Sequence, residues 1–164
     1  MADRHAAFSR LERVKSNDQR SGRASALLFC DLDAFKTIND RDGHAVGDTV
    51  LQTTSERVRR CLRRDDLAAR LGGDELLVMV FGIQDLANAE TMAETIRIAA
   101  AESIATMAGP VAISLSIGVV LIDPRQPIDS LIQQADQAMD EAKRLGRNRV
   151  VPIQLLSPVQ ERPT

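Results

Sequence analysis

Tryptophan and tyrosine are absent from this chain of 164 residues, and phenylalanine occurs only four times. Almost no aromatic surface is left for stacking single-stranded bases or caging a cationic ligand, so any base recognition must run through hydrogen bonds. An excess of one charge is missing too. Twenty-one Lys and Arg face 23 Asp and Glu, a net charge of −2, which excludes the broad positive field of a duplex-binding domain; nucleic acid is not an expected partner. Cysteine is scarce: Cys30 lies in an apolar run and Cys61 between Arg60 and Leu62, without CxxC spacing. We expect two reduced thiols in a cytoplasmic protein rather than a metal or redox pair. No apolar stretch approaches the roughly 20 residues of a spanning helix, and residues 1–20 are charged throughout, unlike a signal peptide. This segment is therefore expected to make no direct membrane contact, whether it is a cytoplasmic protein or the cytoplasmic part of a larger, even membrane-attached, one. Nine Gly and six Pro are too few for a disordered or fibrous chain, and the length suits one domain.

What is present is periodicity. Ala7, Leu11 and Val14 keep helical spacing with Phe8 on the adjoining face, predicting a short helix that the polar stretch 16–23 breaks; residues 1–25 read as this helix and a linker. Ala26 to Cys30 suits a buried strand ending in Asp31-Leu32-Asp33. Leu32, Phe35 and Ile38 mark a brief helical turn up to Asp42-Gly43, and Val50, Leu51, Thr54, Val58 and Leu62 stripe a longer helix. Strands at 67–71 and 75–81 flank Gly72-Gly73-Asp74, residues that reach positive φ readily in a tight hairpin. Leu86, Met92, Ala93, Ile96 and Ala100 predict a helix, 111–122 a strand, Ile128 to Ala142 a helix ended by Gly146, and 150–153 a last strand, with 154–164 a tail or linker. Strand, helix, two-strand hairpin, helix, strand is split βαβ order. The expected fold class is α/β of the α+β type, with an antiparallel-centred sheet and helices packed on it.

Asp31 and Asp33 stand two apart at a strand end, so both carboxylates point to one face while the strand lasts, which suits Mg²⁺. Asp33 also precedes a helical turn and could simply cap it; we read Asp31 as ligand and Asp33 as cap. Asp74 and Glu75 sit where a Gly-Gly tip bares the backbone, and in a split βαβ sheet that tip can lie beside the end of the first strand, gathering three carboxylates. The plain alternative is a favourable turn with a solvated Glu75.

Five blocks occur in order: Phe29-Cys-Asp-Leu-Asp-Ala-Phe-Lys-Thr-Ile-Asn-Asp40, then Gly43-His44 and Gly47-Asp48, Arg70-Leu-Gly-Gly-Asp-Glu-Leu76, Ser116-Ile-Gly-Val119, and Ala142-Lys-Arg-Leu-Gly-Arg-Asn-Arg-Val150. Over residues 26–153 the chain resembles the GGDEF domains of diguanylate cyclases. The resemblance implies a palm or nucleotide-cyclase-like core and an enzyme that joins two GTP into cyclic di-GMP with release of two pyrophosphates, as a transient homodimer. It implies Mg²⁺, with Mn²⁺ as an alternative, held by Asp31, the Leu32 carbonyl, Asp74 and Glu75, with Asp74 or Glu75 as base. Lys36 is implied on phosphate and in transition-state stabilisation, the backbone of Ala34 and Phe35 on the β- and γ-phosphates, Lys143 and Arg147 on the distal phosphates, and Asn39 and Asp48 on guanine. Arg63 and Asp66 match an RxxD site that binds product and inhibits.

Each position also has a bland reading. Lys36 could be a surface lysine, Lys143 and Arg147 cations favoured by a helix C-terminus, Asn39 and Asp48 helix-stop and helix-start residues, and Arg63 to Asp66 a charged turn. His44 is given no catalytic role. Four departures from the family pattern stand out: Leu76 replaces the signature phenylalanine, Asp140 stands where most members have tyrosine, Thr95 replaces a supporting arginine, and the opening block ahead of Arg4 is missing, as in a domain cut from a longer protein. A second reading, from a different class, is a non-catalytic GGDEF module that binds GTP or cyclic di-GMP as a regulatory domain. A polymerase-like reading lacks a basic groove.

Overall fold

The central strands are apolar on both faces, and their alternation decides which helices lie where. A computed structural model describes residues 1–21 and 23–153. The chain runs α1 (Arg4–Ser21), β1 (Ala24–Leu32), α2 (Phe35–Asp42), α3 (His44–Cys61), β2 (Leu67–Arg70), β3 (Glu75–Ile83), α4 (Leu86–Ala100), β4 (Ile104–Thr106), β5 (Gly109–Val111), β6 (Leu115–Leu121), α5 (Ile128–Arg144) and β7 (Arg149–Pro152). One five-stranded sheet has the order β2-β3-β1-β6-β7, and β4-β5 is a separate hairpin. Neighbours in the sheet are antiparallel except β6 and β7, so the antiparallel-centred α+β expectation holds. Ala26, Leu28, Cys30, Leu76, Val78 and Val80 face one way, into a core shared with α3 and α4. Leu27, Phe29, Leu77 and Met79 face the other, against Ala7 and Leu11 of α1 and Leu131, Ala135 and Met139 of α5. By period-two alternation Asp31 and Glu75 fall on this second face, toward α5.

Several boundaries differ from expectation. Helix α1 is 18 residues rather than short. Asp3 starts it by accepting from the Ala6 N–H at 2.8 Å, and the polar stretch contains neither Gly nor Pro before Gly22, so nothing in it stops a helix whose first half is anchored. Strand β1 runs on through Asp31 and Leu32. The predicted strand 111–122 is two pieces: Pro110 has no N–H for a ladder, Gly109 turns at φ 94, and a small hairpin closes with Thr106 Oγ1 donating to the Gly109 carbonyl at 2.6 Å, before the sheet resumes at Leu115. Gly72 and Gly73 do not use left-handed φ. Their hairpin closes through the Leu71 N–H to the Glu75 carbonyl at 2.9 Å, and the Arg70 guanidinium grips the Gly72 and Gly73 carbonyls at 2.9 and 3.0 Å. The expected tail, 154–164, lies outside the described residues.

Both cysteines are free. Burial, with Asp31 adding, pushes the Cys30 thiol up to about 12, and burial raises Cys61, so neither is a thiolate at neutral pH.

Gly118 sets the distance between sheet and α5. A Cβ there would stand 2.2 Å from the Ala135 carbonyl oxygen and 2.4 Å from the Met139 nitrogen, both backbone atoms that cannot rotate away. Gly118→Ala is expected to destabilise the fold by roughly 3 kcal/mol, checked by chemical denaturation; an unchanged midpoint would show that α5 is not held there.

Candidate active site

The carboxylates meet at one end of the sheet because three strand termini converge there. In the β1–β3 ladder Asp31 is opposite Glu75, and in the β1–β6 ladder it is opposite Ser116. The Leu32 N–H donates to the Asp74 carbonyl at 3.1 Å, so the hairpin tip is sewn to the end of β1. Asp31 is almost fully buried, with Oδ2 paired to Lys143 Nζ and Oδ1 buried without a hydrogen-bond partner among the described residues. Burial pushes its carboxyl up to about 6 against the pull of Lys143, with Asp74 beside it pushing the same way. Glu75 is raised as well, by burial first and then by Asp74, Asp136 and Asp140, with Lys143 opposing. Burial works against the Lys143 ammonium, yet Asp31, Asp140 and Asp74 outweigh it and hold its pKa above the ordinary value. A strongly negative site raises carboxylates and ammonium alike.

Asp33 is not a helix cap. The N-cap of α2 is Ala34, with no side-chain hydrogen bond. Asp33 turns inward, accepting from Ser114 and Ser116 hydroxyls at 2.6 Å each and from the Asn148 N–H at 3.1 Å. Buried polar groups demand partners, and these tie β1, β6 and the loop after α5 into one rigid end. That loop is strained: Gly146, Arg147 and Asn148 all have positive φ, at 123, 64 and 46.

Ala34 is itself left-handed, φ 58 and ψ 27, immediately before α2. Ala34 and Phe35 thus place a left-handed and a right-handed residue in succession at a helix start, a backbone pattern that turns neighbouring N–H groups to one side. Lys36 is exposed in the first turn of α2, and Arg147 is exposed beyond α5. Lys143, by contrast, is turned inward onto Asp31.

Beyond the hairpin lies a cleft of about 890 Å³ walled by Asp48, Leu51 and Ser55 of α3, by Arg70 and Gly72, and by Asp3, of a size that takes a small-molecule ligand. Asp48 is exposed inside α3, whose N-cap is Gly43, so helix-start chemistry does not account for it. The Asn39 side chain occupies the space a Cβ at position 47 would need, with Oδ1 at 1.7 Å from it, so Gly47 is the vacancy that seats Asn39.

Arg63 and Asp66 lie at the end of the hairpin strands far from the Gly72-Gly73 tip and pair with each other. Asp66, its side chain 1% exposed, accepts from the Arg63 N–H at 3.0 Å, from Arg63 Nε at 3.3 Å and from the Phe81 N–H at 3.1 Å. They border a cleft of about 630 Å³ into which Arg10, Arg13, Arg23 and Arg64 also face.

The sequence model described as "Diguanylate cyclase, GGDEF domain" matches residues 1–149. The chain belongs to the GGDEF family. It is 41% identical over 147 residues to the diguanylate cyclase TpbB of Pseudomonas aeruginosa, which covers 84% of this chain and 32% of that protein; the chain thus spans about a third of that relative's length. The GGDEF domain of TpbB in its crystal structure superposes with a TM-score of 0.89 at 38% identity, covering 93% of this chain and 96% of that one. The GGDEF domain of DgcB from Caulobacter crescentus, solved in complex with c-di-GMP, gives 0.87 at 28% identity, covering 94% and 92%. The match of the family model takes in α1.

Within this GGDEF domain the departures become legible. Leu76 is fully buried in the α3–α4 core, an apolar swap that leaves the carboxylates alone. Asp140, with Asp136 one turn earlier and Lys143 one turn later, lies on the stripe of α5 that faces Glu75. The Thr95 hydroxyl donates to the Thr91 carbonyl at 3.0 Å and lends nothing to the RxxD cleft. Sequence reasoning missed Asp136, the Asp33 clamp and the α1 arginines, because each reaches its place through packing of elements distant along the chain. Among the described residues, no helix is long and apolar enough to cross a membrane.

Proposed function

We propose that this domain condenses two GTP into cyclic di-GMP and two pyrophosphates. The observation that carries this reading is the bare, buried Oδ1 of Asp31, at a strand end shared with Asp74 and Glu75 and adjoining the Ala34–Phe35 concavity. The family works with divalent metal ions, and Mg²⁺ takes oxygen ligands from carboxylates and backbone carbonyls together with substrate phosphates. Asp31, the Leu32 carbonyl, Asp74 and Glu75 would hold Mg²⁺, or Mn²⁺ in its place. A bound divalent cation supplies Lewis acidity, easing loss of the 3′-hydroxyl proton and offsetting charge on the departing pyrophosphate. The Ala34 and Phe35 N–H groups receive the β- and γ-phosphates, and Lys36, Lys143 and Arg147 offset their charge. Glu75, raised by burial and acidic neighbours, is the better placed of the two candidate bases to accept the proton. Asp48 accepts from guanine's adjacent N–H and NH₂, a donor pair adenine lacks, and Asn39 supplies a donor and an acceptor.

Incubation with GTP and Mg²⁺ is expected to yield the cyclic dinucleotide and two pyrophosphates per turn, and Asp48→Ala to cost about tenfold or more in GTP preference over ATP. No cyclic product at any protein concentration would leave the regulatory-module reading in its place. An unchanged preference would return Asp48 to a surface role.

Product binding at Arg63 and Asp66 belongs to the same proposal. The Asp66 oxygens are already engaged, so a bound dinucleotide competes with that internal pair, while the surrounding arginines attract its phosphates. Arg63→Ala is expected to weaken product affinity about tenfold in calorimetry; equal affinity would assign product binding to the active site alone.

A further inference from the structure

Asp31 has two oxygens in unlike states: Oδ2 carries the Lys143 ammonium, while Oδ1 is buried with no hydrogen-bond partner among the described residues. Around this pair stand Asp74, Asp136 and Asp140, each close enough to act electrostatically on Glu75, and Asp74 and Asp140 act on Lys143 as well. The backbone that delivers Lys143 does not move freely, since α5 is pressed on β6 at Gly118 with no room for a methyl group. The side chain is another matter. It is 34% exposed in the last turn of α5, on a flexible four-carbon stem. We propose that Lys143 is a tethered counter-ion: it holds the Asp31 carboxylate while the site lacks a divalent cation, is displaced from it when that cation arrives, and is thereby freed for substrate phosphate. This rests on the reading of Asp31 as a cation ligand.

The physical argument is one of charge. A buried carboxylate with Asp74 beside it and Glu75 opposite in the ladder needs a positive partner close by, and Lys143 supplies one from within the chain. A divalent cation on the same carboxylate would be repelled by an ammonium left in contact with it, so the two compete for Asp31. With nucleotide present the relation reverses, because the displaced ammonium gains phosphate oxygens. Lys143 therefore opposes cation binding in the free protein and supports it in the nucleotide complex. Its role toward Asp31 is that of a positioning residue, coupling the order in which cation and nucleotide are bound.

The test is Mn²⁺ titration of the nucleotide-free protein, followed by the electron paramagnetic resonance of free Mn²⁺, for wild type, Lys143→Gln and Asp31→Asn. Lys143→Gln is expected to bind Mn²⁺ about tenfold more tightly than wild type, and Asp31→Asn to lose binding. If Asp31→Asn loses binding while Lys143→Gln binds no more tightly than wild type, the counter-ion proposal is overturned and the cation site stands. If Asp31→Asn binds as wild type does, Asp31 is no ligand and both fall. A second measurement needs no variant. Lysine occurs at positions 15, 36 and 143 alone, so reductive methylation read by mass spectrometry resolves each one. Labelling of Lys143 is expected to rise on adding Mn²⁺ without nucleotide while Lys15 stays constant; unchanged labelling of Lys143 at saturating Mn²⁺ overturns the proposal.

Discussion

Asp74→Asn is expected to lower cyclic dinucleotide formation at least about a thousandfold while leaving the unfolding temperature within about 3 °C of the parent. The two halves of this expectation have separate causes. The structural duty of residue 74 falls on its backbone: its carbonyl receives the Leu32 N–H at 3.1 Å, and an amide side chain of the same shape leaves that bond alone. The side chain is half-buried beside Asp31, whose carboxyl it pushes up. Removing its charge relieves repulsion among neighbouring carboxylates, so stability has little to lose. Catalysis has much to lose, because an amide is a poor ligand for a hard divalent cation and no longer offsets its charge. Chromatography of the GTP reaction beside a thermal melt checks both halves. Turnover at the parental rate would refute the metal role of Asp74, and a collapsed melting temperature would show that its charge serves the fold.

Specific activity is expected to rise about tenfold for each tenfold increase in protein concentration while the monomer dominates, then to level off. Among the described residues the proposed nucleotide contacts form one set, the Asp48 cleft and the Ala34–Phe35 concavity, whereas the proposed reaction consumes two GTP and makes two bonds related by symmetry. Two domains must therefore face each other, each presenting its nucleotide to the other. Among the described residues the exposed large hydrophobic side chains are Met1, Ile98, Met107 and Leu145, which lie on different elements and form no extended apolar face of the kind a lasting dimer buries. The encounter should be weak, and a fused dimerising coiled coil should abolish the concentration dependence by raising effective concentration. A flat dilution series with monomers throughout in sedimentation would contradict the two-half-sites mechanism.

The residues of the proposed site were legible where chemistry is carried by short blocks: Asp31 to Asn39 along one strand end and helix, and Gly72 to Glu75 at one turn. Two local readings failed for a common reason. Asp33 looked like a cap because its sequence neighbours form a helical turn, yet its partners are Ser114, Ser116 and Asn148. Gly72 and Gly73 looked like left-handed turn residues, yet their carbonyls are gripped by Arg70 and neither takes a positive φ. In both cases side-chain partners, rather than local preference, decided the conformation.

Strand and helix periodicity, the split βαβ order and the carboxylate blocks are properties of nearest neighbours along the chain, and these the sequence by itself determined. Tertiary structure alone decided that Glu75 stands opposite Asp31 in register, that Lys143, 112 residues away, closes on it, and that α1 brings Arg10 and Arg13 to the cleft beside Arg63. Long-range electrostatics depends on distance in space, and that distance is set by packing features such as the close approach of α5 at Gly118, which no local pattern encodes.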